Sequence, residues 1–503
     1  MRTWSKYQKA IFDYVATRDT SAVIEARAGS GKSTVITQLT EIIPKNRKVL
    51  VSAFNASTRE DLLKKVKRPG VNVQTFHQMG YRAVLRAWGP LTIDKDRQRT
   101  LIAAVIPGGR LAPEGAMGDL RKLVSLAMAR LATTDEQLMD IMDVYECAPR
   151  EHQDVERYLT WAKLVLEKSK EKSSVISYDD QVYLPVALDL GMQRYDDILI
   201  DEAQDCNPLQ LELIRKSLKP GGRIIAVGDP QQAIYGFRGA DLDTMDRIKQ
   251  EFNADVLPLS VCYRCPTKVI ELANNIVPDL EPAPGALTGS VQTVNEAAML
   301  DEVRSGDLII SRSNAPLVAT LLNLLKRGKR AFIMGRDDSA ALIAFVNKIG
   351  GNTLTEFYAR MNTYVNAETQ RLTAAEKEQQ VEALLDKQEM LIALGDGLAT
   401  CEALTARIYS VFGDGSASAG AITLSSVHKA KGLEFPRVWM LESTFRMRSA
   451  EDENLYYVAV TRSQLSLFLV QTPGTNGRVP ESIAASWDPD AFHDVKTERV
   501  QHG

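Results

Sequence analysis

Residues 26–33 read Ala-Arg-Ala-Gly-Ser-Gly-Lys-Ser, between an apolar run from Ser21 to Ala26 and a helical pattern from Ser33 to Ile43. Strand, glycine-rich turn and helix in that order make a phosphate-binding loop. The glycines let the backbone curl until successive N–H groups point at one anion, and a helix start favours negative charge. Ala28, Gly29, Ser30, Gly31 and Thr34 form the cradle. Lys32 supplies a point charge for the β- and γ-phosphates, and the Ser33 hydroxyl can ligate Mg²⁺. Ala26 stands where the common pattern begins with Gly. A chance Gly-Ser-Gly-Lys-Ser is a flexible turn, but the flanking strand and helix argue against that here. The loop predicts binding of a nucleoside triphosphate, and the question becomes what its hydrolysis drives.

Bulk properties narrow the partners. The 503 residues are enough for about three or four domains. Hydrophobic residues at 45% and charged residues at 25% are ordinary for a globular protein. The net charge of −3 carries no global basic signature, so any nucleic-acid site must be a local groove. Five cysteines (147, 206, 262, 265 and 401) form no disulfide framework in so long a chain, which points to a reducing compartment. No apolar run approaches the ~18 residues of a membrane span, and Met-Arg-Thr-Trp-Ser-Lys is not a signal peptide. The expectation is a cytoplasmic protein with no membrane partner.

Short β-rich runs at 21–26, 48–53, 71–75, 196–200, 223–227 and 254–258 alternate with helical patterns at 33–43, 56–66, 76–87, 208–217 and 241–251. A second set places strands at 307–311, 330–334, 421–425, 435–441 and 465–471, with helices at 266–276, 315–326 and 453–462. Such alternation means parallel crossovers and sheets covered on both faces. Residues 90–175 and 336–412 are nearly all helical in pattern. Val381, Leu384, Leu385, Leu391 and Ile392 share one helical face, which is packing. The segments 257–260 and 413–420 read as hinges, and 473–503 as a loose tail.

The strand Ile198-Leu199-Ile200 ends in Asp201-Glu202, followed by Ala203-Gln204-Asp205. Beside a phosphate loop, Asp201 can hold Mg²⁺ and Glu202 can take a proton from attacking water. Next comes the dense run from Val227 to Ala240, in which Gln232 could sense a γ-phosphate. Tyr235 and Phe237 either offer faces to bases or fill a core.

These residues resemble the UvrD/Rep-like branch of superfamily 1 helicases, over about two thirds of the chain and with motifs in the family's order. Trp4, Tyr7 and Gln8 look like its adenine-reading glutamine motif. Ser52-Ala53-Phe54-Asn55 and Thr75-Phe76-His77 look like its DNA-contacting loops, and Asp201–Asp205 and 228–240, with Arg238, are close matches. Leu259–Arg264 resembles the segment where Tyr263 would stack on adenine and Arg264 reach phosphate. In Thr423–Phe435, Ser426 and His428 would touch DNA and Glu434 would hold the ribose; Asn454–Arg462 would end in the arginine finger, Arg462. Arg27 stands where the family usually has Gly, Cys262 where it has Asn, and Ser426 where it has Thr. The 336–420 insertion is about half the length usual for the second helical subdomain.

The resemblance implies an α/β fold of two RecA-like parallel-sheet P-loop NTPase cores, each with a helical insertion. The first core is 1–88 and 179–258, interrupted by 89–178; the second is 259–335 and 421–475, interrupted by 336–420; the tail is 476–503. It also implies ATP and Mg²⁺ held between the cores and 3′→5′ travel on single-stranded or tailed duplex DNA. Unwinding in replication, repair or recombination would follow, with a protein partner left open. Two other classes remain: a DNA-stimulated ATPase that strips proteins or senses DNA ends without unwinding, and a nucleotide-controlled subunit of a repair or defence complex. Cys262-x-x-Cys265 has no second pair at metal spacing and reads as structural. His77 is a packed or capping residue or a DNA contact. The basic clusters 64–68 and 326–330 are solvated helix ends or phosphate tracks.

Overall fold

The computed structural model describes residues 3–106, 116–149, 154–236, 243–374, 377–413 and 420–471. Phe237, Arg238, most of the expected 413–420 hinge, the tail, His152, His493 and His502 lie outside the described residues.

Two compact units emerge. The first comprises Met1–Gly289, Arg371–Val381 and Glu453–Thr461. Its main sheet has six strands: β1 (Ala22–Ala26), β2 (Val49–Ala53), β3 (Asn72–Thr75), β4 (Tyr195–Asp201), β5 (Leu218–Gly228) and β6 (Asp255–Leu259). They lie in the order β3-β2-β4-β5-β1-β6 and every pair is parallel. β1, β2 and β4 are buried almost throughout, as a sheet covered on both faces demands. Alternate side chains serve two cores. Val23, Leu50, Ile198, Ile200 and Ile224 face one, which the helical insertion fills; Ile24, Val49, Val51, Leu199 and Ile225 face the other.

The insertion carries helices Arg97–Val105, Ala116–Arg130, Asp135–Val144 and Val155–Ser169. It is not wholly helical: Thr92–Ile93 and Val175–Ile176 pair in parallel and close its base. Residues 259–289, expected with the second core, group with the first unit. The reason is local bonding to the phosphate loop: Arg27 N–H donates to the Leu259 carbonyl at 3.0 Å, and Tyr263 N–H to the Gly29 carbonyl at 2.9 Å.

The second unit comprises Ser290–Gln370, Glu382–Asp452 and Arg462–Gly503. Its sheet holds β7 (Ser290–Asn295), β8 (Leu308–Ser311), β9 (Ala331–Met334), β10 (Phe412–Gly413), β11 (Ile422–Ser426), β12 (Phe435–Leu441) and β13 (Ser463–Gln471). Their order is β7-β13-β12-β8-β11-β9-β10, again all parallel. β7 and β10 escape a pattern reading. β7 is only half-buried and lacks an apolar run, and β10 is two residues at the end of a helix. Helices Arg336–Ile349, Leu354–Ala374, Glu378–Gly395 and Cys401–Val411 supply Phe357, Leu391 and Ile408 to the same core as Ile309, Leu424 and Trp439. Among the described residues no helix is long and apolar enough to cross a membrane.

Candidate functional site

In the first unit the sheet delivers its chemistry to one edge. β4, β5 and β1 are neighbours, with Asp201 paired to Val227 and Glu25 to Gly228. Their carboxyl ends therefore bring Asp201–Glu202, Asp229 and loop 27–31 together. Ligands of open parallel sheets bind outside that edge.

Gly29 and Gly31 have φ of 69° and 87°, which glycine adopts without strain. A Cβ on Gly29 would stand 2.6 Å from Arg264 Cβ and 2.8 Å from Cys262 Sγ, so nothing larger fits. Gly31 is the N-cap of helix Lys32–Ile42, and no side chain caps that helix. Ser30 Oγ is buried without a hydrogen-bond partner. An uncapped helix start and an orphaned buried hydroxyl are what a phosphate would satisfy, so these residues fit a bound nucleotide.

Charges converge behind the loop. Lys32 Nζ lies 2.7 Å from Glu202 Oε2. Burial alone would lower the Lys32 pKa, but Glu202, Asp229 and Asp201 outweigh it and hold the ammonium charged. Burial, followed by the neighbouring Glu202, pushes the Asp201 carboxyl up to about 7 against the pull of Lys32. Glu202 itself has φ of 52°, an uncommon backbone setting at functional turns. Its Oε2 also accepts from Gln204 Nε2 at 2.6 Å. Ser33, expected on Mg²⁺ with Asp201, is the second residue of the same helix.

Asp229 is the acid that motif reading passed over. It is wholly buried; desolvation raises its pKa while Lys32 and Arg27 draw it down. Gln232 Nε2 donates to its Oδ2 at 2.7 Å, which fixes the expected γ-phosphate sensor. Arg27, in place of the family's Gly, is anchored: Nε donates to Asp279 Oδ1 at 2.8 Å and Nη1 to Gln231 Oε1 at 2.6 Å.

Gln8 works in two directions. Its Oε1 accepts from Ser5 N–H at 3.0 Å in a capping box, and its Nε2 comes within 3.8 Å of a Cβ built on Gly31, as Thr34 Cβ does. The Tyr263 ring is half-exposed, and Arg264 Nη1 donates to the Thr461 carbonyl at 3.3 Å. Cys262 and Cys265 both engage the backbone: Cys262 Sγ accepts from Cys265 N–H, and Cys265 Sγ donates to the Thr461 carbonyl.

Further along the same edge, next to β4, β2 and β3 end on the other set of expected residues, with Ala53 paired to Thr75. A cleft of about 760 Å³ gathers Phe54, Asn55, His77 and Tyr235. Phe54 and Tyr235 stack. Asn55 caps helix Ala56–Lys65 and Thr75 closes a capping box with Gln78, so both have structural work at this edge. Burial lowers the His77 pKa despite Asp179 nearby, which keeps the imidazole neutral at pH near 7. No motif marks the far wall: exposed Arg121 and Lys122, and Ser125, whose hydroxyl donates to Asp179 Oδ2 at 2.6 Å.

The second unit separates its expected residues. Ser426 and half-buried His428 lie at the carboxyl end of β11. Glu434 and Arg462 precede β12 and β13, which start side by side at Phe435 and Ser463. They sit at the opposite end of the sheet from Ser426, because β12 runs parallel to β8 and β8 to β11. Arg462 is almost fully buried, with Nη1 donating to the Leu433 carbonyl at 3.1 Å; exposed Glu434 accepts from Gln464 Nε2 at 3.2 Å.

Comparison with known proteins agrees with this layout. The UvrD/REP helicase N-terminal domain matches residues 7–253, and the UvrD-like helicase C-terminal domain matches residues 344–473. The chain is 26% identical over 298 residues to the ATP-dependent DNA helicase srs2 of Schizosaccharomyces pombe, covering 50% of this chain and 32% of that protein. It is 23% identical over 285 residues to the ATP-dependent DNA helicase Rep of Salmonella typhimurium, covering 51% and 40%. With the ATP-dependent DNA helicase PcrA of Bacillus subtilis it shares 23% over 292 residues, covering 52% and 38%. The matches thus span two fifths or less of these relatives' own length. The two domain matches, in order along the chain and each taking in strands of one parallel sheet, show that this protein belongs to the UvrD/Rep helicase family.

Proposed function

We propose that this protein hydrolyses ATP with Mg²⁺ to move along single-stranded DNA in the 3′→5′ direction and to unwind tailed duplex. One observation carries the reading. A single sheet edge holds both the phosphate loop with its carboxylates and, beside the Asp201 strand, a cleft with stacked aromatic rings and exposed cations.

The two halves share a short segment. Gln232 sits on Asp229 behind the loop, and Tyr235, three residues on, lines the cleft. A displacement of Gln232 on loss of the terminal phosphate is handed to the Tyr235 ring. The grip on a stacked base changes with it.

Within the nucleotide site, the backbone of 28–31, Ser30 and Lys32 bind phosphate, and Ser33 and Asp201 hold Mg²⁺. Glu202 accepts the proton of water, and Gln232 reads the terminal phosphate. Mg²⁺, when bound, neutralises phosphate charge. Gln8 and Tyr263 take the base, with Glu434 on the ribose. Arg264 and Arg462 stabilise phosphoryl charge, an effect of about 10³–10⁵ in rate where an arginine finger acts. On the DNA side we assign Phe54, Asn55, Thr75, His77, Tyr235, Phe237, Arg238, Ser426 and His428.

Strand displacement on duplexes with a 3′ tail, a 5′ tail or no tail tests the reading. Unwinding of the 3′-tailed substrate alone is the expected result. DNA-stimulated hydrolysis without strand separation on any of the three would favour the motor that does not unwind, a reading supported by the small helical stretch at 336–411, four helices among the described residues.

A further inference from the structure

Helix Ala450–Val460 and the residue after it present Asn454, Tyr457 and Thr461 at spacings of three and four, which places them on one face. Each meets a different piece of the nucleotide site. Asn454 Nδ2 donates to the Ala233 carbonyl at 3.0 Å. The Tyr457 hydroxyl accepts from the Ala28 N–H at 3.0 Å and donates to Asp229 Oδ2 at 3.3 Å. The Thr461 carbonyl accepts from Arg264 Nη1. Tyr457 is wholly buried, so no exposed ring face explains its place.

We propose that Tyr457 is a positioning residue for hydrolysis: its hydroxyl ties the phosphate loop at Ala28 to the Asp229–Gln232 pair, so that loop and sensor move together. This rests on reading loop 26–33 as the nucleotide site. Both polar contacts of the phenol are to groups that flank the phosphates, and neither belongs to the loop's own strand or helix. Without that oxygen, the Ala28 N–H loses its acceptor, and Asp229 keeps Gln232 and a looser ion pair with Arg27 at 3.6 Å but loses its hydrogen bond to the group that holds Ala28. A buried donor left unpaired shifts its segment to find a partner. The loop can then still close on a diphosphate, because Lys32 and the helix start are untouched. What weakens is the registration of Gln232 against the terminal phosphate.

The test is Tyr457→Phe, which removes one oxygen and keeps the ring. DNA-stimulated ATP turnover should fall by about tenfold, the effect of one buried hydrogen bond. The affinity for ADP should stay within about threefold, so the discrimination of ATP over ADP narrows. A merely structural role would lower both affinities together and leave their ratio intact. Combined with Gln232→Ala, the loss in turnover should be smaller than the product of the single losses. Should Tyr457→Phe not fold, Asp229→Asn examines the other end of the same bond. Because Lys32 also feels that carboxylate, this variant is read by turnover and by the ratio of ATP to ADP affinity, both of which should fall, and not by ADP affinity alone. A folded Tyr457→Phe, or in its place Asp229→Asn, with parental turnover and parental ATP-to-ADP discrimination overturns the inference while leaving the nucleotide site standing. A parent protein that binds no nucleotide overturns both.

Discussion

The rings of Phe54 and Tyr235 stack nearly parallel and offset, 6.0 Å between centroids with 11° between their planes. One follows β2 and the other lies seven residues beyond β5, so two separate segments build one platform. Stacking of a base on an aromatic ring contributes about 1–3 kcal/mol. Tyr235→Ala should therefore weaken binding of a fluorescent single-stranded oligonucleotide by about ten- to a hundredfold, with ATP affinity unchanged. Phe54→Ala added to it should cost less than it does alone, because the rings share a contact. Unchanged anisotropy titrations for both variants would remove the platform from the account.

Lys32 pairs with Glu202 and also feels the carboxyls of Asp229 and Asp201. Lys32→Ala should reduce ATP turnover by about 10²–10³-fold, the scale of losing one fixed positive group at developing charge. Glu202→Gln keeps the bulk of the side chain and removes the proton acceptor. It should bind ATP and fail to turn it over, as stopped-flow binding and phosphate release would show together.

Asp201 makes the site sensitive to pH. Its carboxyl, ordinarily near 3.8, is pushed up to about 7 in the folded chain. The folded protein thus holds a proton that the unfolded chain has released across that window. The contribution of this group favours folding at low pH and is lost as pH rises through about 7. Mg²⁺ needs the ionised form, so thermal stabilisation by Mg²⁺ should grow between about pH 6 and pH 8. Asp201→Asn should flatten that growth; a parent profile with no slope would show that Asp201 does not hold the ion.

Arg121 and Lys122 face the cleft from helix Ala116–Arg130. If they contact phosphates, Arg121→Ala should weaken binding similarly for all sequences and lower the slope of log affinity against log salt by about one. Lys122 also donates to the Tyr145 carbonyl at 2.5 Å, so its replacement should act less. An unchanged slope for Arg121→Ala would mean the far wall is only solvated.

Much of this was legible in the chain before any coordinates. The strands that bear motifs are fully buried apolar runs, which is why β1, β2 and β4 stand out in the sequence, and Gly29, Lys32, Asp201 and Gln232 follow from their spacing. Strand β7 did not, because a half-buried edge strand has no apolar run to read. Arg121, Asp179 and Asp229 act through contacts with residues distant along the chain, and no local pattern records such contacts. The hydroxyl of Tyr457 finds Ala28 across 429 residues, a contact that the spacing within 454–462 does not record. The placing of 259–289 with the first unit has the same cause: two backbone hydrogen bonds to the phosphate loop outweigh what looked like a hinge at 257–260.

The most direct measurement is steady-state ATP hydrolysis by the parent protein with and without single-stranded DNA, repeated on Tyr235→Ala. The account predicts strong stimulation of the parent, and stimulation of the variant only at much higher DNA concentration. Turnover in the parent that is indifferent to the strand would contradict the claim that one sheet edge joins the fuel to the track.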